Sequence, residues 1–355
     1  MSSPRRPDEG TPANMWRPTA TRAMLEQRAT LLGRARRFFS DGGVLEVDTP
    51  MVVNAPVTDV HIHSARVDLW AAAKRPYFLH TSPEYAMKRL LAAGSGDIYQ
   101  ICHVVRGFER GRLHNAEFTL IEWYRLGFTL AELMSEVDAL VRTLLGPAAA
   151  ARASEHITYR EAFLRELQLD PFTASMNELQ QAAKKLGFTH TTAPAGATEA
   201  AASTGAATSA PSAAAQHRDE LLELLMGALI GPRLGSDALT FVHGYPATQA
   251  ALARLDPEDA RAALRFELYC DGIELANGFH ELTSASEQRS RFEHDREERR
   301  RTGLPSFPPD ELLLAALEAG LPECSGVALG FDRTLMLATG ANTIDEALPF
   351  PTERA

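Results

Sequence analysis

The stretch from Arg106 to Tyr124, RGFERGRLHNAEFTLIEWY, constrains this chain more than any other. An arginine closes an apolar strand, a polar loop follows, and a second strand then carries Phe118, Glu122 and Tyr124 on one face. Strands joined in this way wall a pocket with cations, acids and stackable rings, an alternation that a plain core does not need. Such a pocket suits a nucleotide. Taken alone, the stretch also fits an ordinary β-hairpin with a charged tip.

With 355 residues the chain can bury a substantial core. Its net charge of −10 argues against a dedicated nucleic-acid surface, because phosphate neutralisation needs clustered Lys and Arg. Cys102, Cys270 and Cys324 are far apart and have neither zinc-site spacing nor the density of a disulfide scaffold. They are expected to be reduced and mostly buried. The N-terminus has no apolar targeting segment, and no apolar run reaches the length of a membrane span, so a soluble cytoplasmic protein is expected.

Residues 1–15 are polar and read as a disordered tail. From Thr21 to about Ser40 apolar residues recur at helical spacing, and Asp41-Gly42-Gly43 ends the helix. The strand-like Val44–Met51 segment then runs into Pro50, which cannot donate to a ladder. Tyr77 to Leu91 reads as a strand entering a helix, with Ser82 as N-cap, Pro83 at the first helical position and Glu84 in the first turn. Between about 130 and 235 the pattern becomes helical, with Leu130, Leu133, Met134, Val137, Leu140 and Val141 as its clearest stripe. Residues 191–217 contain no Val, Ile, Leu, Met or aromatic side chain and are expected to be a disordered loop. The whole reads as one domain over 16–355 with a helical insertion.

Two later segments carry chemistry. Glu267, Glu274 and Glu281 recur every seven residues in two strands around Asp271-Gly272, and an odd spacing brings them together only across a hairpin or bulge. Clustered carboxylates need a cation between them, and hard oxygen ligands suit magnesium. A solvated acidic face is the alternative. Further on, Cys324 to Leu337 reads as a strand of small residues turning into a helix, with Arg333 at its start adding charge to a terminus already favourable for phosphate. Ser284 to Thr302 reads as an exposed helix opened by a capping box, and its Arg-rich end is a candidate docking surface.

Together these segments resemble the class II aminoacyl-tRNA synthetases. Arg106–Tyr124 resembles motif 2, with the HNAEFT stretch from His114 to Thr119 closest to the lysyl branch; the Thr21–Met51 region resembles motif 1, and Gly330 to Arg333 closes a segment like motif 3. The resemblance implies an α+β catalytic domain, a mainly antiparallel sheet flanked by helices, that uses ATP and Mg²⁺ to adenylate an amino acid. Joining a carboxylate to a phosphate is opposed by charge repulsion, which fixed cations relieve. Arg106 and Arg333 would be the catalytic cations. Gly107, Phe108, Glu109, His114, Asn115, Phe118, Glu274, Leu275 and Gly330 would complete the ATP site, with adenine between Phe118 and Arg333. Glu267 and Glu274 would hold the metal. Ser82, Glu84, Asn277, Glu281 and Ala328 would bind the amino acid, with Tyr124 paired to Glu281.

Phe108 stands where the family usually has glutamate, with the acid displaced to Glu109, so either Glu109 or the backbone of Gly107 and Phe108 would read the base. Ala116 stands where proline is common, and Ala328 where lysyl enzymes carry glycine. The catalytic helix begins near residue 21, leaving no room for an anticodon-reading domain, so tRNA is not expected as a partner. The chain looks close to the elongation factor P lysine ligases, which implies (R)-β-lysine or lysine as substrate, elongation factor P as acceptor, and a homodimer. A truncated tRNA-charging paralogue and a non-catalytic module with the same fold are the competing readings.

Overall fold

The structure, a computed structural model, describes residues 15–70, 76–185 and 213–355. The chain divides into two compact units, Met1–Arg152 with Glu281–Ala355, and Ala153–His280. The tail expected at 1–15, apart from Met15, and residues 191–212 of the expected loop lie outside the described residues.

The first unit opens with helix α1 (Arg22–Asp41), where the Thr21 side chain accepts the Met24 N–H and Gly42 stands at the C-cap. Leu31, Ala35 and Phe39, four residues apart, form its buried stripe. Phe39 stacks on Tyr99 with centroids 4.3 Å apart and meets Trp123 at 5.2 Å. Short strands β1 (Leu45–Glu46), β2 (Val52–Val53), β3 (Arg66–Val67) and β4 (Tyr77–Leu79) lead to helix α2 (Glu84–Ala92). The expected strand over 44–51 is thus only two residues long. Strands β5 (Ile98–Val105) and β6 (Glu117–Leu126) form the predicted hairpin, followed by α3 (Leu130–Leu145), whose N-terminus carries a complete Thr129/Glu132 capping box.

In the second unit, the part before residue 235 is less purely helical than its sequence implies. Strand β7 (Ala153–Thr158) precedes α4 (Tyr159–Leu167), α5 (Met176–Lys184) and α6 (Ala213–Leu225), and pairs in parallel with β8 (Ala238–Pro246). Strands β9 (Ala262–Cys270) and β10 (Ile273–His280) extend this sheet antiparallel. Tyr159, Phe163, Leu179, Leu222, Leu225, Ile230 and Tyr245 form a core under it. The expected insertion over 130–235 is therefore redrawn: α3 belongs to the first unit, and the second unit includes the paired strands β7 and β8 as well as helices. Helix α6 takes in Ala213–His217, correcting the end of the expected disordered loop.

The turn between β9 and β10 has Asp271 and Gly272 at φ of 49° and 72°. Both central residues in the left-handed region make the tight two-residue hairpin that Asp-Gly favours. A Cβ at Gly272 would also lie 2.7 Å from the Pro232 carbonyl oxygen.

The chain then returns to the first unit through α7 (Ala285–Arg301), α8 (Glu311–Gly320), β11 (Cys324–Gly330) and α9 (Phe331–Thr339). Strand β6 lies between β5 and β11, antiparallel to both, while β1 pairs in parallel with β5. Helix α7 is not simply exposed: it buries Gln288, Phe292, Glu298 and Arg299, and Arg299 donates to the carbonyls of Asp59, Ile62 and Pro305. Part of its Arg-rich end thus fastens a loop. Among the described residues no helix is long and apolar enough to cross a membrane.

Candidate active site

One end of the β5–β6 hairpin is cationic. The Arg106 N–H donates to the Ala116 carbonyl at 2.8 Å, its Nε donates to the Thr81 carbonyl at 3.2 Å, and its guanidinium lies 5.2 Å from the Phe118 ring centroid. From the first turn of α9, Arg333 donates through Nε to the Leu113 carbonyl at 3.2 Å and through Nη2 to His114 Nε2 at 2.7 Å. An arginine can only donate, so His114 carries any proton on Nδ1. Crowding of the ring, then the charges of Arg333 and Arg106, push the His114 pKa down to about 4. Because the residue is open to water, the two guanidiniums are the firmer cause of that direction. Near neutral pH a neutral imidazole therefore stands between two fixed cations.

Asp332 anchors this arrangement. It is buried, ion-paired to Arg28 of α1, and accepts the Thr119 N–H at 2.6 Å, while Arg28 Nη2 donates to Thr119 Oγ1. Gly330 is the N-cap residue of α9. A buried charge held by a guanidinium and a backbone donor fixes the helix start that carries Arg333.

Along the same hairpin the chemistry reverses sign. Ser82 Oγ donates to Glu122 Oε2 at 2.8 Å and accepts the Glu84 N–H at 3.0 Å. Tyr124 Oη donates to Glu122 Oε1 at 2.8 Å. The Lys88 ammonium, 1% exposed, lies 2.6 Å from Glu84 Oε1 and 2.6 Å from Glu281 Oε2, the latter contact too poorly aligned to satisfy that oxygen by a hydrogen bond. Burial, reinforced by the Glu84 charge, raises the Glu122 carboxyl pKa. Burial likewise raises that of Glu281, partly offset by Lys88. Gly326 makes this packing possible: directly opposite Tyr124, it would place a Cβ 2.3 Å from the tyrosine ring and 2.5 Å from a Glu281 oxygen. Ala328 stands directly opposite Glu122.

The second unit holds the other acids. Glu267 is opposite Asn277 and Glu274 opposite Tyr269, with a bulge between Glu274 and Ala276. That irregularity lets Glu274 and Asn277, three residues apart, share a face with Glu267. Glu267 accepts from Arg265 Nη2 at 2.5 Å and from Tyr269 Oη at 2.6 Å. Burial would lower the Arg265 pKa, but the charges of Glu267, Tyr245 and Glu274 raise it. Asn277 Oδ1 is buried with no hydrogen-bond partner among the described residues, whereas Leu275 is core. Among the described residues no three His, Cys, Asp or Glu side chains converge on a metal position. Two carboxylates still fit magnesium, whose remaining positions are commonly filled by water and phosphate oxygens.

Several expected contacts differ. Tyr124 bonds Glu122, because strand alternation puts both on one face, and does not donate to Glu281. Arg106 lies over Phe118, a contact that the sequence did not suggest. The Asn115 side chain is buried and committed to structure, donating to the Glu117 carbonyl at 2.7 Å and accepting the Thr352 N–H at 3.1 Å. The Gly107 N–H donates to the His63 carbonyl at 2.7 Å, which leaves it committed away from a base. Phe108 is 91% exposed at φ 65°, with its ring edge-on to His63, and Glu109 is half-buried. The helix starts at Glu84, one residue later than expected, with Pro83 rather than Ser82 at the N-cap position, although the Ser82 hydroxyl accepts the Glu84 N–H.

Sequence reasoning missed Lys88, the role of Glu122 in the carboxylate cluster, and the Arg28–Asp332 anchor. The first had a signal in its spacing, since Glu84 and Lys88 are four apart on one helix face. The second had one in composition, an acid inside the buried run from Thr119 to Tyr124.

The chain has relatives among known proteins. The family model for class II tRNA synthetases (D, K and N) matches residues 13–354, and the chain belongs to that family. Within it, the chain is 47% identical over 343 residues to the elongation factor P–(R)-β-lysine ligase of Proteus mirabilis (strain HI4320), covering 96% of this chain and 98% of the relative. The same identity and coverage hold for the ligase of that name from Vibrio cholerae, and the Vibrio atlanticus protein is 46% identical with 96% and 99% covered.

Proposed function

We propose that the protein activates (R)-β-lysine with ATP and transfers it to a lysine of elongation factor P. The substrate carboxylate attacks the α-phosphate, releasing pyrophosphate and forming an aminoacyl-adenylate. The ε-amine of the acceptor lysine then attacks the acyl carbon, giving an amide, AMP and a proton. The observation that carries this reading is the hairpin that bears fixed cations at one end and a buried carboxylate cluster along its length, suited to a triphosphate and to ammonium groups respectively. Its close relatives, matched over nearly their full lengths, bear the name of that activity.

In this scheme Arg106 and Arg333 offset the charge gathering on the phosphates, and His114, held neutral, accepts from Arg333 rather than competing with it. Glu84 and Glu281 take the substrate's ammonium groups, and Asn277 its carboxylate. Glu267 and Glu274 would hold Mg²⁺, which supplies charge neutralisation between phosphates; Arg265 and Tyr269 orient Glu267 for it. The exposed apolar residues Leu25, Leu45 and Met51, on the segment that resembles motif 1, support a homodimer.

The test is amino-acid-dependent ATP–pyrophosphate exchange, followed by labelling with radioactive lysine or (R)-β-lysine in the presence of elongation factor P or bulk tRNA. Exchange with (R)-β-lysine and label on elongation factor P are expected. Label on tRNA would favour the charging paralogue, and no adenylate with any amino acid would favour a non-catalytic module.

A further inference from the structure

A buried lysine inside a carboxylate cluster needs a reason, since an ammonium taken out of water is costly unless it is fully paired. Lys88 is ion-paired with Glu84 of its own helix and with Glu281 just after β10, and Cys324 of β11 lies within reach of its charge; Glu84 and Glu281 in turn act on Glu122 and Tyr124 of β6. Cys102 of β5 faces Glu122. Only three of these are acids in the neutral range, and one buried cation stands among them. Glu122 is approached by the neutral donors Ser82 and Tyr124, and one Glu281 oxygen lacks a well-aligned donor. With all three acids ionised the cluster therefore carries two negative charges more than it balances.

We propose that Lys88 is a built-in counter-cation that sets this count, so that an amino acid bringing two ammonium groups neutralises the pocket while one bringing a single ammonium does not. Lys88 is a positioning and specificity residue, not a catalytic one. Before substrate arrives, carboxylates without a cation in a dry site retain protons. The second substrate ammonium displaces such a proton to solvent, so binding of a diamino acid is coupled to proton release. The raised pKa values of Glu122 and Glu281 agree with that exchange. Removing the Lys88 charge leaves Glu281 holding its proton to higher pH and weakens the ammonium subsites near neutrality.

The inference rests on the diamino-acid reading above, so its test includes direct binding as well as turnover. Calorimetric titration with lysine, (R)-β-lysine and norleucine, in buffers of different ionisation enthalpy at pH 7, is expected to show proton release with the diamino acids only. Norleucine is expected to bind at least about tenfold more weakly. Lys88→Met should raise KM for the diamino acid at least about tenfold at pH 7, move the pH profile of that KM upward, and leave kcat and the KM for ATP nearly unchanged. Lys88→Arg should restore most of the affinity. Absence of exchange with any amino acid would sink the proposed reaction, and the calorimetry would still judge the charge count. Equal binding of norleucine, no proton release in the natural protein, or an unmoved pH profile in a folded Lys88→Met would overturn the counter-cation role. Should Lys88→Met fail to fold, proton release and Lys88→Arg decide the matter.

Discussion

The two ends of the β5–β6 hairpin solve opposite electrostatic problems by opposite means. At the loop end, Arg106 and Arg333 stay accessible, aimed by backbone carbonyls and a neutral imidazole. Along the strand, Glu122 and Glu281 are buried, Glu84 is half-buried, and all three are held by hydroxyls or one buried ammonium. A polyphosphate carries several charges and is attracted even through solvent, so open arginines suffice for it. Telling one ammonium from none requires a dry site, because water screens the difference. On the proposed reading, positioning phosphate falls to Arg106 at the end of β5 and Arg333 at the start of α9, and discrimination to the packed interior.

Breaking the cationic end should cost most. Arg106→Ala or Arg333→Ala is expected to reduce pyrophosphate exchange roughly 100-fold or more while thermal unfolding is little changed. Near-normal exchange in either variant would remove the arginines from the reaction.

Glu122→Gln tests the dry end and should act through pH. The carboxyl pKa of Glu122 is raised, so the natural protein already carries its neutral form at low pH and resembles the variant there. Its ionised form, and the substrate affinity that depends on it, appear as pH rises through that raised pKa. Affinity for the diamino acid should therefore differ by about tenfold above pH 8 and converge near pH 6. A pH-independent gap would mean that Glu122 acts only by packing.

Gly326→Ala sharpens the same end by volume alone. Its added methyl meets the Tyr124 ring and Glu281, so a stability loss of about 1–3 kcal/mol and a weaker amino-acid KM are expected from denaturation and kinetics. A KM for ATP that rises equally would blur the division between the two ends. The smallest effect should come from Phe108→Gly in the loop. Relief of its left-handed backbone should stabilise the protein by about 1 kcal/mol or less, with the KM for amino acid unchanged.

The regular elements were largely legible because their causes are local. Periodicity and caps gave α1 and α3, Asp271-Gly272 gave the β9–β10 turn, and the odd spacing of the acids called for a hairpin or bulge of the kind found between Glu274 and Ala276. The division into two units was not legible, since β7 and β8 pair across about eighty residues and neither strand announces the other.

The site was half legible for the same reason. The sequence by itself, through its resemblance to the class II synthetases, marked Arg106, Arg333 and the glutamates spaced by seven as candidates for one chemistry, because residue type and spacing carry that resemblance. Only the tertiary structure decided how those charges are compensated. It committed Asn115 to the C-terminal segment, turned Tyr124 toward Glu122, and set Lys88 between Glu84 and Glu281. Ionisation and pairing depend on burial and on partners from distant parts of the chain, and neither quantity exists until the chain has folded.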